Sequence, residues 1–435
     1  MKKFAVNAFL AFSLLLSGCD KSEDPIPDGP DEPSIGGTEE PEPEPETPQI
    51  DAYNLSEDEM ANCYIVQSAG RYIFKADNRF NLGEGLPIPP EIHVADAELL
   101  WQTNMDAIKS VEVVNILDEP YILFEVSQAE GNALIAALDS DGTVVWSWHI
   151  WMPEQEITSM ASATGYEIMT MNLGAMNNTP GDAKSYGLLY QWGRKDPFPA
   201  SATLTGNTQT VGAPLYGIDN TPVEITYSPW NNTDNNTIEY AISHPTVVLS
   251  NYSQFATSRD WLRAGESDDS LWGNPDGDYR DSDTNTFPNK GKKTCYDPSP
   301  AGWRVAPADA FRNLTTSGGY AWTFDDFAVA DINYDGIVNI DDYNYGWHFL
   351  INTDSPLYFP ATSRYDGSYA MLMGSMSGLW GNYWSNAPYS TIAGGAFCNL
   401  SFQVADMNGR ETITVSPSGG SSRADAFAIR CVRDN

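Results

Sequence analysis

Tyr186-Gly187-Leu188-Leu189-Tyr190-Gln191-Trp192-Gly193-Arg194-Lys195-Asp196-Pro197-Phe198-Pro199 starts apolar and aromatic, then breaks into charge and proline. A buried element ending in a rigid turn reads this way, because Gly opens backbone angles that Pro then fixes. Three later stretches are built alike, namely Trp272-Gly273-Asn274-Pro275, Asp297-Pro298-Ser299-Pro300-Ala301-Gly302-Trp303-Arg304-Val305 and Tyr383-Trp384-Ser385-Asn386-Ala387-Pro388. Each couples an aromatic to Gly or Pro. The pattern predicts a fold held by aromatic burial at irregular turns. Thirteen Trp, 22 Tyr and 35 Gly favour a mainly β fold with some α and aromatic-lined loops.

Upstream, residues 51–155 read as strands. Ala61 to Val66 and Arg71 to Lys75 are β-branched and aromatic runs split by Ser68-Ala69-Gly70, and Tyr121 to Val126 and Ala133 to Leu138 follow. Asp139-Ser140-Asp141-Gly142 is a tight-turn signal before Thr143 to Trp151. In that last strand Val144, Trp146, Trp148 and Ile150 form an apolar core face. Thr143, Val145, Ser147, His149 and Trp151 form the other face, and His149 reads as a surface strand residue. About 100 residues with several short strands match an Ig-like β-sandwich.

Downstream, residues 156–435 open with a strand over Glu167 to Leu173. Polar loops follow from Ala200 to Asn236, Trp261 is an inward-packed anchor, and Pro307 to Leu314 is a short helix. The four aromatic–turn stretches in this order, closed by Ala428-Ile429-Arg430-Cys431-Val432-Arg433, resemble the Fibrobacter succinogenes major paralogous domain of secreted and surface-exposed bacterial proteins. The resemblance covers about Tyr166 to Asn435. It implies a C-type lectin-like α+β domain with long loops on a small sheet. Domains like residues 51–155, some of them fimbrillin-like, precede this domain in many surface lipoproteins. Cys295 and Cys431 bracket most of the lectin-like part, and a disulfide between them is one of the three pairings open to Cys63, Cys295, Cys398 and Cys431. The family's own cysteine position falls on Ser299.

Met1-Lys2-Lys3 and the apolar run Phe4 to Leu16 read as a signal peptide over residues 1–18, too short to span a bilayer. Leu16-Ser17-Gly18-Cys19 is a lipobox, which makes Cys19 the lipidation site and anchors the mature chain by its acyl chains. Asp20-Lys21-Ser22-Glu23-Asp24 resembles the tethers of lipoproteins exported to the outer face of the outer membrane. An aspartate after the cysteine marks inner-membrane retention in other bacteria. Residues 19–50 are rich in Pro, Glu and Asp and bury no core. At ~3.1 Å per residue such a tether lifts the folded part by several nanometres.

Lys and Arg total 23 against 59 Asp and Glu, a formal charge of −36. That charge argues against nucleic acid or an anionic membrane surface as a partner; the membrane is reached through the lipid anchor alone. It permits cations, neutral glycans and basic proteins, and the partner expected is a glycan or a surface protein of a host or neighbouring cell.

Asp331-Ile332-Asn333-Tyr334-Asp335-Gly336-Ile337-Val338-Asn339-Ile340-Asp341-Asp342 matches the twelve-residue calcium loop of EF-hands at most ligand positions. Asp331, Asn333, Asp335, the Ile337 carbonyl, Asn339 and Asp342 are the expected ligands of a structural calcium ion. Gly336 allows the sharp turn, and Asp342 stands where most EF-hands have Glu, as in dockerin loops. A dockerin carries two loops and one is present here, so a cohesin partner has no support.

No HExxH, GxSxG or Walker loop occurs, and His93, His149, His244 and His348 lack metal spacing. The leading expectation is a non-enzymatic adhesin or glycan-binding lipoprotein on the cell surface. Tyr365, Trp380, Tyr383 and Trp384 are its candidate stacking residues, although core packing is the favoured reading of each one taken singly. A second reading is a pilus subunit of the fimbrillin type, matured by cleavage at Arg71. An enzyme of the formylglycine-generating kind, using Cys398 and Cys431, is a third.

Overall fold

The computed structural model describes residues 50–434 except 205–211, 229–235, 251–259, 264–265, 277–290, 354, 369–370, 390–395 and 406–409. The signal peptide, Cys19 and the tether as far as residue 49 lie outside the described residues. Strand accounts for 40% and helix for 8%, so the chain is mainly β with some α.

Residues of the first half build two facing sheets. One runs Tyr53–Asn54, Gly70–Lys75, Glu119–Val126, Ile108–Ile116 in hydrogen-bonded order. The other runs Pro222–Val223, Leu215–Tyr216, Asp96–Gln102, Gly131–Leu138, Val144–Met152, Cys63–Ile65. Phe74 and Trp148, with ring centroids 5.2 Å apart, join them across the core. The Asp139–Gly142 turn forms as the sequence predicts: Asp139 Oδ1 accepts from the backbone N–H of Asp141 and of Thr143, both at 2.9 Å, and Gly142 takes φ +79°. Arg71 lies in Gly70–Lys75, a strand paired on both sides, so the Arg71–Tyr72 bond sits inside a sheet.

The expected division near residue 155 does not divide the sheets or the core. Leu215–Tyr216 and Pro222–Val223 extend a sheet of the first half. One hydrophobic cluster runs from Tyr64 and Trp148 through Leu173, Trp192 and Trp261 to Trp384 and Phe427. The expected surface face of Val144–Met152 is accordingly covered. His149 is 1% exposed, and Ser147 and Trp151 are buried beside it. The cover is second-half backbone: Trp151 Nε1 donates to Ala175 O at 2.7 Å and Asn132 Nδ2 to Gly174 O at 2.9 Å. Alternation identified the apolar face correctly, and the other face is buried as well because a second layer lies on it.

In the second half, Leu188–Gln191 belongs to an eight-stranded sheet. Its main path is Phe198–Pro199, Leu188–Gln191, Ala426–Ala428, Trp380–Tyr389, Ala396–Ala405, Glu411–Ser422. A four-stranded sheet orders Trp303–Val305, Cys431–Arg433, Glu167–Met169 and Ser159–Ala161. The opening strand is thus shorter than expected: by Leu173 the backbone N–H bonds Ile429 O instead. Ala308–Leu314 is a 3₁₀ helix burying Ala308, Ala310, Phe311 and Leu314. Gly187 (φ +74°) and Gly193 (φ +85°) bracket the decisive strand; a Cβ at Gly187 would meet Leu173 O at 2.5 Å. Among the described residues no helix is long and apolar enough to cross a membrane.

Candidate binding surface and calcium loop

The turn after Trp192 carries three consecutive charges, Arg194, Lys195 and Asp196, all buried. Lys195 Nζ donates to Asp196 Oδ1 at 2.6 Å, Ser147 Oγ at 2.5 Å and Ser147 O at 3.1 Å, and lies 4.7 Å from the Trp146 ring centroid. Ser147 Oγ in turn donates to Asp196 Oδ1 at 2.6 Å. Burial pulls the Lys195 amine below its ordinary pKa, and the Asp196 carboxylate opposes that shift. Arg194 donates to Gln191 Oε1 at 2.9 Å and Val247 O at 2.7 Å, and burial brings it down to about 10. The space lined by these residues with Ile238, Ile242, Trp261 and Tyr296 has room for about one water. Lys195 and Asp196 fasten this turn onto strand Val144–Met152 through Ser147, while Arg194 ties the turn to the segment 241–247.

Three of the four aromatics expected to stack on sugars are core residues. Tyr365, Tyr383 and Trp384 are buried. Tyr365 Oη donates to Pro199 O at 3.0 Å, Tyr383 Oη to Pro360 O at 2.5 Å and Trp384 Nε1 to Tyr190 O at 2.7 Å, with Trp384 stacked on Phe427 at 4.2 Å. The reason is position: Trp380–Tyr389 runs inside the eight-stranded sheet, paired with Ala396–Ala405 and, at Tyr383, with Ala428. Trp380 is half-buried, its Nε1 donating to Ala405 O at 2.6 Å. Trp261 is the inward anchor its sequence predicts, donating to Trp192 O at 2.8 Å. Exposed aromatics lie elsewhere: Tyr334 stands on the acidic loop, Tyr53 and Tyr227 are only partly open, and Tyr320 (57%) and Trp322 (67%) are neighbours with ring centroids 5.8 Å apart. The available signal was Tyr320-Ala321-Trp322, an aromatic–small–aromatic alternation after the polar run Thr315-Thr316-Ser317-Gly318-Gly319.

The loop 331–342 has the winding expected of a calcium loop. Gly336 takes φ +88° and its N–H donates to Asp331 Oδ2 at 2.8 Å; the N–H of Tyr334 reaches Asp331 Oδ1 at 2.7 Å. Asn339 caps a single 3₁₀ turn, Ile340–Asp342, in a capping box with Asp342. No exit helix follows, because Gly346 opens the strand Gly346–Asn352. Asp342 is fully buried and accepts from the N–H of Ile332 at 2.8 Å and Asn333 at 3.3 Å on Oδ1, and of Asn339 at 3.0 Å on Oδ2. Among the described residues, no group of three or more His, Cys, Asp and Glu side chains stands close enough to hold a metal. The donors are hard oxygens, which suits calcium; the oxygens of Asp331 and Asp335 each keep a second lone pair beyond the one N–H bond they accept, whereas Asp342 Oδ1 already accepts two. The turn is in place, and the carboxylates are not drawn to a common point.

Cys295 and Cys431 are buried and free, which corrects the expected disulfide. Cys295 Sγ faces Pro87 O at 3.8 Å in the first half, whereas Cys431 Sγ donates to Ser299 Oγ at 3.2 Å. Strand pairing of Cys431 with Val305 aims its sulfur at Ser299 rather than at Cys295. Burial pushes the Cys431 thiol up to about 12, so it stays protonated at neutral pH. The side chain of Cys398 lies outside the described residues.

No family model, no curated protein and no solved structure matches this chain.

Proposed function

We propose that this chain is a non-enzymatic, lipid-anchored surface protein of the outer membrane, whose folded part is a binding module that acts as an adhesin. The observation that carries this reading is the exposure of Tyr320 and Trp322 on a chain that buries or half-buries every other described tryptophan. A large apolar ring left in water is the informative exception to burial, and it marks recognition surfaces. The lipobox ending at Cys19, the long acidic tether and the resemblance to a family of surface proteins support the same reading.

The loop 331–342 is proposed to hold a structural calcium ion through Asp331, Asn333, Asp335, the Ile337 carbonyl, Asn339 and Asp342. The ion would supply charge neutralisation for the acidic loop. The chain's contribution is the preformed turn at Gly336 and the capping box at Asn339 and Asp342.

Cell retention tests the adhesin reading. Cells carrying the full chain are scored on surfaces coated with polysaccharide, matrix protein or neighbouring cells. The expected result is retention that Cys19→Ser abolishes, with the released variant competing in solution. Equal retention of cells with and without the chain on every surface overturns it.

A further inference from the structure

The segment from Thr315 to Phe327 is a loop pinned along its length. Thr315 and Phe327 form an isolated bridge, the Thr316 N–H donates to Asp326 O at 2.9 Å, and Thr315 Oγ1 donates to Gly319 O at 2.8 Å. At its centre Ala321 exchanges both backbone hydrogen bonds with Val415 of Glu411–Ser422, at 2.8 and 3.0 Å. Ala321 is therefore one extended residue added to the edge of the eight-stranded sheet, and its side chain is buried. Successive side chains of extended backbone point to opposite sides, so an inward Ala321 turns Tyr320 and Trp322 outward together. Their rings lie 5.8 Å apart and tilted by 44°.

We propose that Tyr320 and Trp322 form a stacking platform for a neutral oligosaccharide. This rests on the reading of the chain as a surface-binding module and names the ligand class of that module. The C–H face of a pyranose ring packs on an aromatic face as another apolar surface does, and two tilted rings on fixed backbone offer one aromatic to each of two successive sugars. Preorganisation by the Ala321–Val415 bonds lowers the ordering cost of binding. Exposed hydroxyls at Thr316, Ser317 and Thr323 and carboxylates at Asp325 and Asp326 form a polar rim able to bond sugar hydroxyls. Thr323 Oγ1 already donates to Asp326 Oδ2 at 2.8 Å, which fixes that edge. Nucleic-acid bases also stack on aromatics, but they need a positive groove to hold the backbone. The acidic rim and the charge of −36 oppose them, as they oppose sulfated or sialylated glycans. Two rings within a polar rim are also a smaller apolar surface than a stable protein interface uses.

The probes are neutral hexaoses of glucose, xylose and mannose, with a hyaluronate hexasaccharide as the anionic control. They are titrated calorimetrically into the full chain. The expected result is binding of at least one neutral hexaose, no binding of hyaluronate, and protection of Trp322 from oxidation by N-bromosuccinimide. Trp322→Ala and Tyr320→Ala each weaken binding at least tenfold with an unchanged melting temperature, and Trp322→Phe retains part of it. Equal binding by wild type and Trp322→Ala overturns the proposal, as does failure of every neutral hexaose. If every hexaose fails while Trp322→Ala still abolishes retention of cells on a protein-coated surface, the ligand is a protein: the glycan inference falls and the adhesin reading stands. If retention is absent as well, both fall.

Discussion

The Cys431 thiol lies 3.2 Å from Ser299 Oγ, a contact that joins residues 132 positions apart in the sequence. It ties the last strand to the Asp297–Pro300 turn, whose Asp297 carboxylate accepts from the backbone N–H of Ser299 at 2.8 Å and of Val305 at 2.9 Å. Replacing Ser299 by Cys puts a second sulfur against the first, in a turn already fixed by those bonds. Ser299→Cys is expected to lose the mass of two hydrogens under oxidising conditions and to melt higher than its reduced form. Chain-entropy arguments give an upper figure of about 5 kcal/mol for a loop of this length. Five titratable thiols in the unfolded oxidised variant, rather than the three of Cys63, Cys295 and Cys398, would refute the geometry.

His149 is buried with its Nε2 at 2.8 Å from Asn132 Oδ1, and burial lowers its pKa from 6.5 to about 3. Below pH 6.5 the unfolded chain takes up a proton that the folded chain refuses until about pH 3. The stability linked to this residue is therefore complete above pH 6.5 and is lost as pH falls toward 3. At pH 4.5 the loss is about 2.7 kcal/mol. His149→Gln keeps a hydrogen-bonding side chain and removes the titration. Denaturant unfolding at pH 7 and pH 4.5 should show a smaller acid loss in the variant by about that amount; equal losses would mean that His149 is protonated in the fold.

The hairpin joining Ile108–Ile116 to Glu119–Val126 turns through Leu117 and Asp118, with φ of +50° and +65°. Both central residues of such a turn are left-handed, which suits Asn-Gly far better than Leu-Asp. Leu117 is 74% exposed, so its side chain gives little in return. Leu117→Asn with Asp118→Gly is expected to stabilise the protein by about 1 kcal/mol, read as a higher denaturant midpoint with an unchanged slope. A lower midpoint would show that Leu117 makes a contact worth more than its backbone strain.

Calcium bound through loop 331–342 should raise the melting temperature, because an ion bound to the folded state alone adds ~2.7 kcal/mol at a hundredfold excess over Kd. Magnesium should substitute poorly, its octahedral geometry being shorter and stricter. Asp331→Ala removes the acceptor of the Tyr334 and Gly336 N–H groups and one expected ligand. It should abolish the calcium response in calorimetry. Identical melting of wild type and variant, with and without calcium, would leave the loop as an acidic turn.

The sequence by itself determined the mainly β fold, the turn at Asp139–Gly142, a short helix ending at Leu314 and the sharp bend at Gly336. These are local: they follow from alternation, from Gly at positions of positive φ and from side chains that bond their own backbone neighbours. Tertiary structure alone decided which aromatics are buried. Tyr383 and Trp322 each stand beside turn-forming residues, and what separates them is that Trp380–Tyr389 runs within a sheet, whereas Tyr320-Ala321-Trp322 adds one residue to its edge. The same holds for His149, whose strand face is open to water until the backbone at Gly174 and Ala175 and the turn carrying Lys195 and Asp196 lie on it. It holds for the cysteines too, since strand register aims Cys431 at Ser299. Burial and pairing of this kind depend on what arrives from distant parts of the chain, and no local pattern of polar and apolar residues encodes that arrival.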